Sequence, residues 1–251
     1  MKVVAVVSAK GGVGKSTVSA NLSAALQAQG YPVIAVDLDP QNGLRYHFSL
    51  HQSTGLGLSG TIHGTPLSDI IRPTEAGVAL LPYGECTEQE RQDFEAELRH
   101  NKRWLSEKLH GMSLADDVMV VIDTPPGPSV YLSQALTAAS LAVVVVLPDA
   151  GSYATLPQMR SLIETYCLGR PDFIDYGLLI NQVEQAHQLG KDITQVLRTT
   201  FDERVVGLVH TDQALSEALA YGQNIFQYRS YSEGARDMQA CGQWVLRRLG
   251  L

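Results

Sequence analysis

Three cysteines in 251 residues, Cys86, Cys167 and Cys241, leave little scope for metal or disulfide chemistry. They are odd in number and far apart, and no pair has a CxxC spacing. Neither a zinc knuckle nor a disulfide framework is indicated, and free thiols in a reducing cytosol fit the pattern. Lysine is scarce too, with six in the chain, and the formal net charge is −7. Binding nucleic acid without sequence preference needs several cations to displace phosphate counterions, and this chain offers few. Arg229, Arg236, Arg247 and Arg248 read mainly as a solvated helix face. The first apolar run, Val3–Val7, is too short for a membrane span and lacks a signal peptide's cleavage region, so a cytoplasmic protein is expected. Internal repeats, low-complexity tracts and interdomain linkers are lacking. With 45% apolar and 18% charged residues, the composition is that of an ordered globular chain, and its length suits one domain over residues 1–251.

What is present is a series of short, unbroken apolar runs alternating with helical patterns. Val3–Val7, Val33–Val36, Val118–Ile122, Leu141–Leu147 and Leu178–Ile180 are rich in β-branched residues, with Val78–Leu81 as a further candidate. Strands buried on both faces read this way, as in a parallel sheet between helices. Val18, Leu22, Ala25 and Leu26 recur at i, i+4, i+7 and i+8 and predict an amphipathic helix ended by Gly30. Strand, helix and strand then make a right-handed βαβ unit. Helices are also expected over 87–110, 130–139, 154–166, 189–199, 212–220 and 232–249. The fold class is therefore α/β, a mostly parallel twisted sheet flanked by helices. Residues 53–73 read as loop with one short helix. The GxGxxG match within them, Gly55 to Gly60, has no strand before it and no amphipathic helix after it, so it lacks the setting of a dinucleotide site.

The first strand leads into Ser8-Ala9-Lys10-Gly11-Gly12-Val13-Gly14-Lys15-Ser16-Thr17, followed at once by the helix. Such a glycine-rich turn lets successive backbone N–H groups point at phosphate oxygens, and the helix N-terminus adds partial positive charge. Lys15 is placed to bridge the β- and γ-phosphates, Ser16 to ligate Mg²⁺ and Thr17 to contact the α-phosphate. Ala9 stands where the ordinary GxxxxGK[ST] pattern has glycine. Val118–Ile122 delivers Asp123 at a strand end, which matches the carboxylate that holds a water on Mg²⁺. His47 and His51 are four apart, but no carboxylate completes a metal set, and a structural role is expected for both.

Lys10-Gly11-Gly12-Val13-Gly14-Lys15-Ser16 resembles the deviant phosphate loop of ParA/MinD-type ATPases, in which an extra lysine precedes the glycines. The resemblance spans the chain and implies a P-loop NTPase of the SIMIBI/MinD type that binds and hydrolyses ATP with Mg²⁺. It implies that Lys10 reaches across a nucleotide sandwich homodimer to the partner's phosphates, acting in trans as arginine fingers do. A solvated surface cation is the alternative for Lys10. By the same resemblance, Asp37-Leu38-Asp39-Pro40-Gln41-Asn42 is a first switch, with Asp39 orienting the attacking water and Asp37 supporting Mg²⁺. A strand-end turn built on Asp-Pro is the other reading. Thr124-Pro125-Pro126-Gly127 resembles the second switch, where the Gly127 N–H donates to the γ-phosphate. Asn181 matches the residue that reads the adenine edge, although an asparagine there also suits a turn. The family's proline after its last strand is replaced here by Val209-His210-Thr211-Asp212, which leaves the far side of the base pocket open.

Residues 39–48, 81–84, 149–157 and 210–212 with 217–219 are similar to the branch of this family encoded with bacterial cellulose synthase. That likeness implies support of the assembly, localisation or regulation of the cellulose secretion machine, with recruitment to the inner membrane through partners. A short helical companion protein and components of the synthase complex are the expected partners. A DNA-partition ATPase would need more positive charge. A MinD-like membrane-positioning ATPase would need a basic amphipathic C-terminal helix, and Met238, Trp244, Val245 and Leu249 opposed by Arg236 and Arg247 suit either that or packing on the sheet. An iron–sulfur carrier lacks its paired cysteines, and a monomeric small-molecule kinase would not need Lys10.

Overall fold

A computed structural model describes residues 1–50, 55–184 and 187–251. The described strands are β1 (Lys2–Val7), β2 (Val33–Asp37), β3 (Arg72–Pro73), β4 (Ala79–Leu81), β5 (Met119–Asp123), β6 (Leu141–Val146), β7 (Asp175–Val183) and β8 (Val205–His210). They form one sheet in the order β3-β4-β2-β5-β1-β6-β7-β8, parallel throughout except for the short β3, which runs antiparallel to β4. The helices are α1 (Lys15–Ala28), α2 (Leu67–Ile70), α3 (Glu88–His100), α4 (Trp104–Gly111), α5 (Val130–Ala138), α6 (Ala150–Tyr166), α7 (Gln188–Phe201), α8 (Gln213–Ala220), α9 (Ile225–Arg229) and α10 (Glu233–Leu249). The expected single-domain α/β sandwich is what the chain forms.

Alternation along the strands divides the core into two layers. Val3, Ala5 and Val7 face α3 to α7, together with Phe94, Trp104, Leu136 and Ile163. Val4 and Val6 face α1 and α10, with Leu22, Leu26, Met238 and Val245. Both layers are apolar, which is why the central strands carry no polar alternation. Each large aliphatic side chain buried here is worth roughly 1.5–3 kcal/mol.

The stripe read on α1 understates its burial. Ser19, Asn21 and Ser23 are buried along with the apolar positions: the Ser19 hydroxyl donates to Asp123, the Asn21 side-chain carbonyl accepts from the Ile225 N–H, and α10 lies against the same helix. A side chain at Gly242 of α10 would begin 2.9 Å from the Gln29 amide and 3.2 Å from Ala25 of α1. On the sheet, a side chain at Gly177 of β7 would begin 2.5 Å from the Trp244 ring, and one at Gly207 of β8 would begin 2.6 Å from the Cys241 sulfur. Thus α10 settles onto bare backbone. Its Met238, Val245 and Leu249 are in the core, and Arg248 binds Asp175 at the start of β7 with Nε–Oδ2 2.8 Å. Of the two readings of the C-terminal helix, sheet packing is the one observed. No described helix is long and apolar enough to cross a membrane.

The helix expected over 87–110 is two. It starts at a Thr87–Glu90 capping box but stops at Asn101, whose backbone is extended. Gln134 of α5 donates its amide to the carbonyls of Leu98 and Asn101 and accepts from the Leu105 N–H, so a side chain from another helix satisfies the break. Helix α6 begins at Ala150, earlier than expected, because Asp149 caps it. Residues 55–60 dock on the end of β4: Leu58 and Ser59 donate to the carbonyls of Pro82 and Tyr83, and Gly57 lies against Gly84. That docking, with a 3-10 turn over Leu58–His63, is incompatible with a dinucleotide loop. His47 is buried, and desolvation lowers its pKa to about 4, so it is neutral at pH 7. His51 lies outside the described residues.

Candidate functional site

The residues singled out above converge at the C-terminal ends of the parallel strands, where open α/β sheets form their crevices. Residues 8–14 leave β1 and turn into α1. Ser8, buried under the loop, donates its hydroxyl to the Lys10 carbonyl at 2.7 Å. Gly14 has φ +84°, and a side chain there would begin 2.5 Å from the Asn181 amide nitrogen, so this position requires glycine twice over. Ser16 and Thr17 are half-buried on the first turn of α1. Val13 contributes its backbone, since its side chain belongs to the core.

Lys15 is buried, at 7% exposure, although it carries charge. Desolvation holds its ammonium below the usual lysine pKa, while Asp123 and Asp39 pull it back up. Asp37 and Asp123 are register partners on adjacent strands, and both are fully buried. Asp37 accepts from the backbone N–H of Asp39 at 2.9 Å and of Leu44 at 3.0 Å, and so it shapes the 38–44 turn. Burial, together with the neighbouring Asp123, raises its pKa well above the carboxylate range. Asp123 accepts the Ser19 hydroxyl on Oδ1 at 2.9 Å, and its Oδ2 has no hydrogen-bond partner. Burial pushes Asp123 up to about 6, against the pull of Ser16, Ser19 and Lys15.

An orphaned, fully buried carboxylate oxygen is costly unless something binds it. A hard cation with water and phosphate ligands suits that oxygen, the Ser16 hydroxyl and Asp37. Among the described residues no group of three or more His, Cys, Asp or Glu forms a metal cage. A metal here would therefore draw most of its ligands from water and a bound anion, as Mg²⁺ does at phosphates.

The remaining expected residues are placed as follows. Asp39 is half-buried beside the loop, its Oδ1 accepting from the Gln41 N–H at 2.9 Å. Gly127 donates its N–H to the Ser8 carbonyl at 3.0 Å, and Thr124 donates to the Val6 carbonyl at 2.9 Å, so the 124–127 segment is tied to β1 and the loop. For the Gly127 N–H to reach a phosphate, it must first release Ser8. Asn181, buried at the end of β7, spends one amide N–H on the Val13 carbonyl at 2.8 Å. Lys10 forms an ion pair within its own chain, to Asp149 at 2.8 Å. Asp149 also caps α6, accepting from Ser152 N–H at 2.6 Å. Partial burial would raise the Asp149 carboxyl, but Lys10 and Ser152 overcome this and lower it.

Sequence reasoning did not assign roles to Ser19 or Asp149. Ser19 follows Lys15 by one helical turn, a spacing that puts it on the Asp123 side. Asp149 follows an apolar run and precedes Ser152 by three, the mark of a helix cap. A cavity of about 660 Å³, bordered by Leu156, Met159, Tyr176, Phe201 and Arg204, lies apart from all these residues. The chemistry sits with the convergent charged groups, not in that cavity.

A family model described as "Cellulose biosynthesis protein BcsQ" matches residues 1–246. The chain is 29% identical over 260 residues to the chromosome-partitioning ATPase Soj of Thermus thermophilus, covering 98% of this chain and 96% of that protein. It is 26% identical over 251 residues to the cellulose biosynthesis protein BcsQ of Escherichia coli K12, covering 98% and 94%. Its fold matches the septum site-determining protein MinD of Pyrococcus horikoshii, solved with Mg-ADP, at a TM-score of 0.83 and 23% identity over 99% and 97% of the two chains. Phosphate loop, paired strand-end carboxylates and parallel sheet agree with these likenesses, and the chain belongs to the BcsQ family within the ParA/MinD-type P-loop ATPases.

Proposed function

We propose that this protein is an Mg-dependent ATP-binding and ATP-hydrolysing switch, which dimerises around ATP and supports assembly, localisation or regulation of a bacterial cellulose secretion complex. The observation that carries the nucleotide reading is the buried Lys15 beside two buried carboxylates, one of which has an oxygen without a partner. In an empty crevice this cluster only costs stability, whereas a magnesium nucleotide would satisfy all of it. Mg²⁺, when bound, neutralises charge on the phosphates. The loop N–H groups and Lys15 hold the β- and γ-phosphates, Ser16, Asp37 and Asp123 position the cation and its waters, and Asp39 orients the attacking water. Asn181 and the Gly127 N–H complete the nucleotide contacts.

Lys10 is the residue through which dimerisation enters. Its pair with Asp149 is about 40% exposed on both sides and worth at most about 1 kcal/mol, so Lys10 is free to exchange Asp149 for a partner's phosphate. The cellulose role rests on the BcsQ names of the family model and relatives. By that likeness the partners are a short helical companion and synthase components, which bring a cytoplasmic protein to the inner membrane. Light-scattering mass of wild type, Lys10→Ala and Asp39→Ala with Mg-ADP and with Mg-ATP tests the switch. Asp39→Ala is expected to double in mass with ATP alone and Lys10→Ala to stay monomeric. A mass that never depends on the nucleotide would refute it.

A further inference from the structure

In a regular strand, consecutive side chains point to opposite faces. The end of β7 breaks that rule. Asn181 pairs with Val209 and Val183 pairs with His210, so Gln182 is an extra residue with no counterpart on β8. Its φ is +54°, the left-handed region that a non-glycine residue enters at a cost of roughly 1–2 kcal/mol. As a result, two successive amides reach the same spot beside the phosphate loop. The point where a side chain on Gly14 would begin is 2.5 Å from the Asn181 amide nitrogen and 3.9 Å from that of Gln182.

The two amides differ in availability. Asn181 is buried, with one N–H committed to Val13. Gln182 is exposed, and its amide makes no hydrogen bond to a described residue. A strained backbone that aims a donor and an acceptor with no partner among the described residues toward the phosphate loop is accounted for by a ligand.

We propose that Gln182 reads the base of the bound nucleotide and sets its preference for adenine, an inference that rests on the nucleotide-site reading above. The chemistry selects the base. Along its N6/N7 edge adenine offers a donor beside an acceptor, which a glutamine amide matches with both its groups. Guanine offers two acceptors on the same edge, N7 and O6, so no rotation of the amide lets its carbonyl pair there. Asn181, partly spent on Val13, contributes to holding any base, while Gln182 discriminates.

The test is calorimetric titration of the full-length chain with Mg-ADP and Mg-GDP. Wild type is expected to prefer ADP. Gln182→Ala should lose about tenfold in ADP affinity, one good bidentate contact, and leave GDP within about twofold. Gln182→Gly removes the amide and the backbone strain together, so it should melt at a higher temperature than wild type yet show the same loss for ADP. That pairing separates recognition from folding. Equal losses for ADP and GDP would place the amide on ribose or phosphate and overturn the proposal, as would no loss at all or a wild type without base preference. A wild type that binds neither nucleotide would instead sink the nucleotide-site reading itself.

Discussion

Replacing Asp123 by Asn should make the nucleotide-free protein more stable while removing its response to magnesium nucleotide. Burial pushes the carboxyl up to about 6 in the folded chain against an ordinary 3.8, and Asp39 adds a nearby like charge. Each pH unit of displacement corresponds to about 1.4 kcal/mol, so the ionised form destabilises the fold by at most roughly 3 kcal/mol at pH 7. Asn keeps an oxygen for the Ser19 hydroxyl and carries no charge, but it leaves Lys15 with one carboxylate fewer. A gain of roughly 1–2 kcal/mol is expected, which for a chain of this size raises the melting temperature by roughly 2–8 °C. The pH dependence has a fixed sign. A carboxyl whose folded pKa is raised binds protons more readily in the native state, so wild type loses stability as pH rises from about 4 through about 6. The variant's advantage should accordingly vanish near pH 4, grow through that window and level off above it. Differential scanning calorimetry at pH 4, 5, 6 and 7.5, with and without Mg-ADP, reads both effects. A variant that melts below wild type at pH 7.5, or an advantage indifferent to pH, would refute the electrostatic account.

Lys15→Ala should abolish nucleotide binding by calorimetry and leave the fold intact, since the burial of its ammonium costs stability in the empty site. An unchanged affinity would contradict the phosphate-loop assignment. Asp175→Ala should destabilise by roughly 3 kcal/mol in urea unfolding, because Arg204 and Arg248 both converge on that buried carboxylate and would lose their common partner. A change below about 0.5 kcal/mol would show that solvent compensates both arginines.

The sheet's central strands were readable because burial on both faces leaves unbroken β-branched runs, and the phosphate loop because its glycines and lysine sit between such a run and a helix. What the sequence concealed depends on partners distant in the chain. Nothing local to 87–110 announces that Gln134 will end a helix at Asn101. The apolar stripe of α1 does not announce that Ser19 and Asn21 are buried, because their partners, Asp123 and Ile225, lie about one hundred and two hundred residues further on. β8 hides because Gly207 interrupts its apolar pattern to admit Cys241. At the site, Lys15, Asp37 and Asp123 were found by motif and lie together. The intrachain tie of Lys10 to Asp149 could not be read, since both belong equally well to solvated turns.

The contact of α10 with α1 also constrains the order in which the protein can mature. The helix that opens the nucleotide site is made more than two hundred residues before the helix that packs against it. Until residues up to Leu249 emerge, the face of α1 around Ala25 and the two bare-glycine strands have nothing against them. A nascent chain that lacks α10 therefore has α1 and this side of the sheet only partly covered, and the helix that carries Lys15 packs fully once residues up to Leu249 are in place.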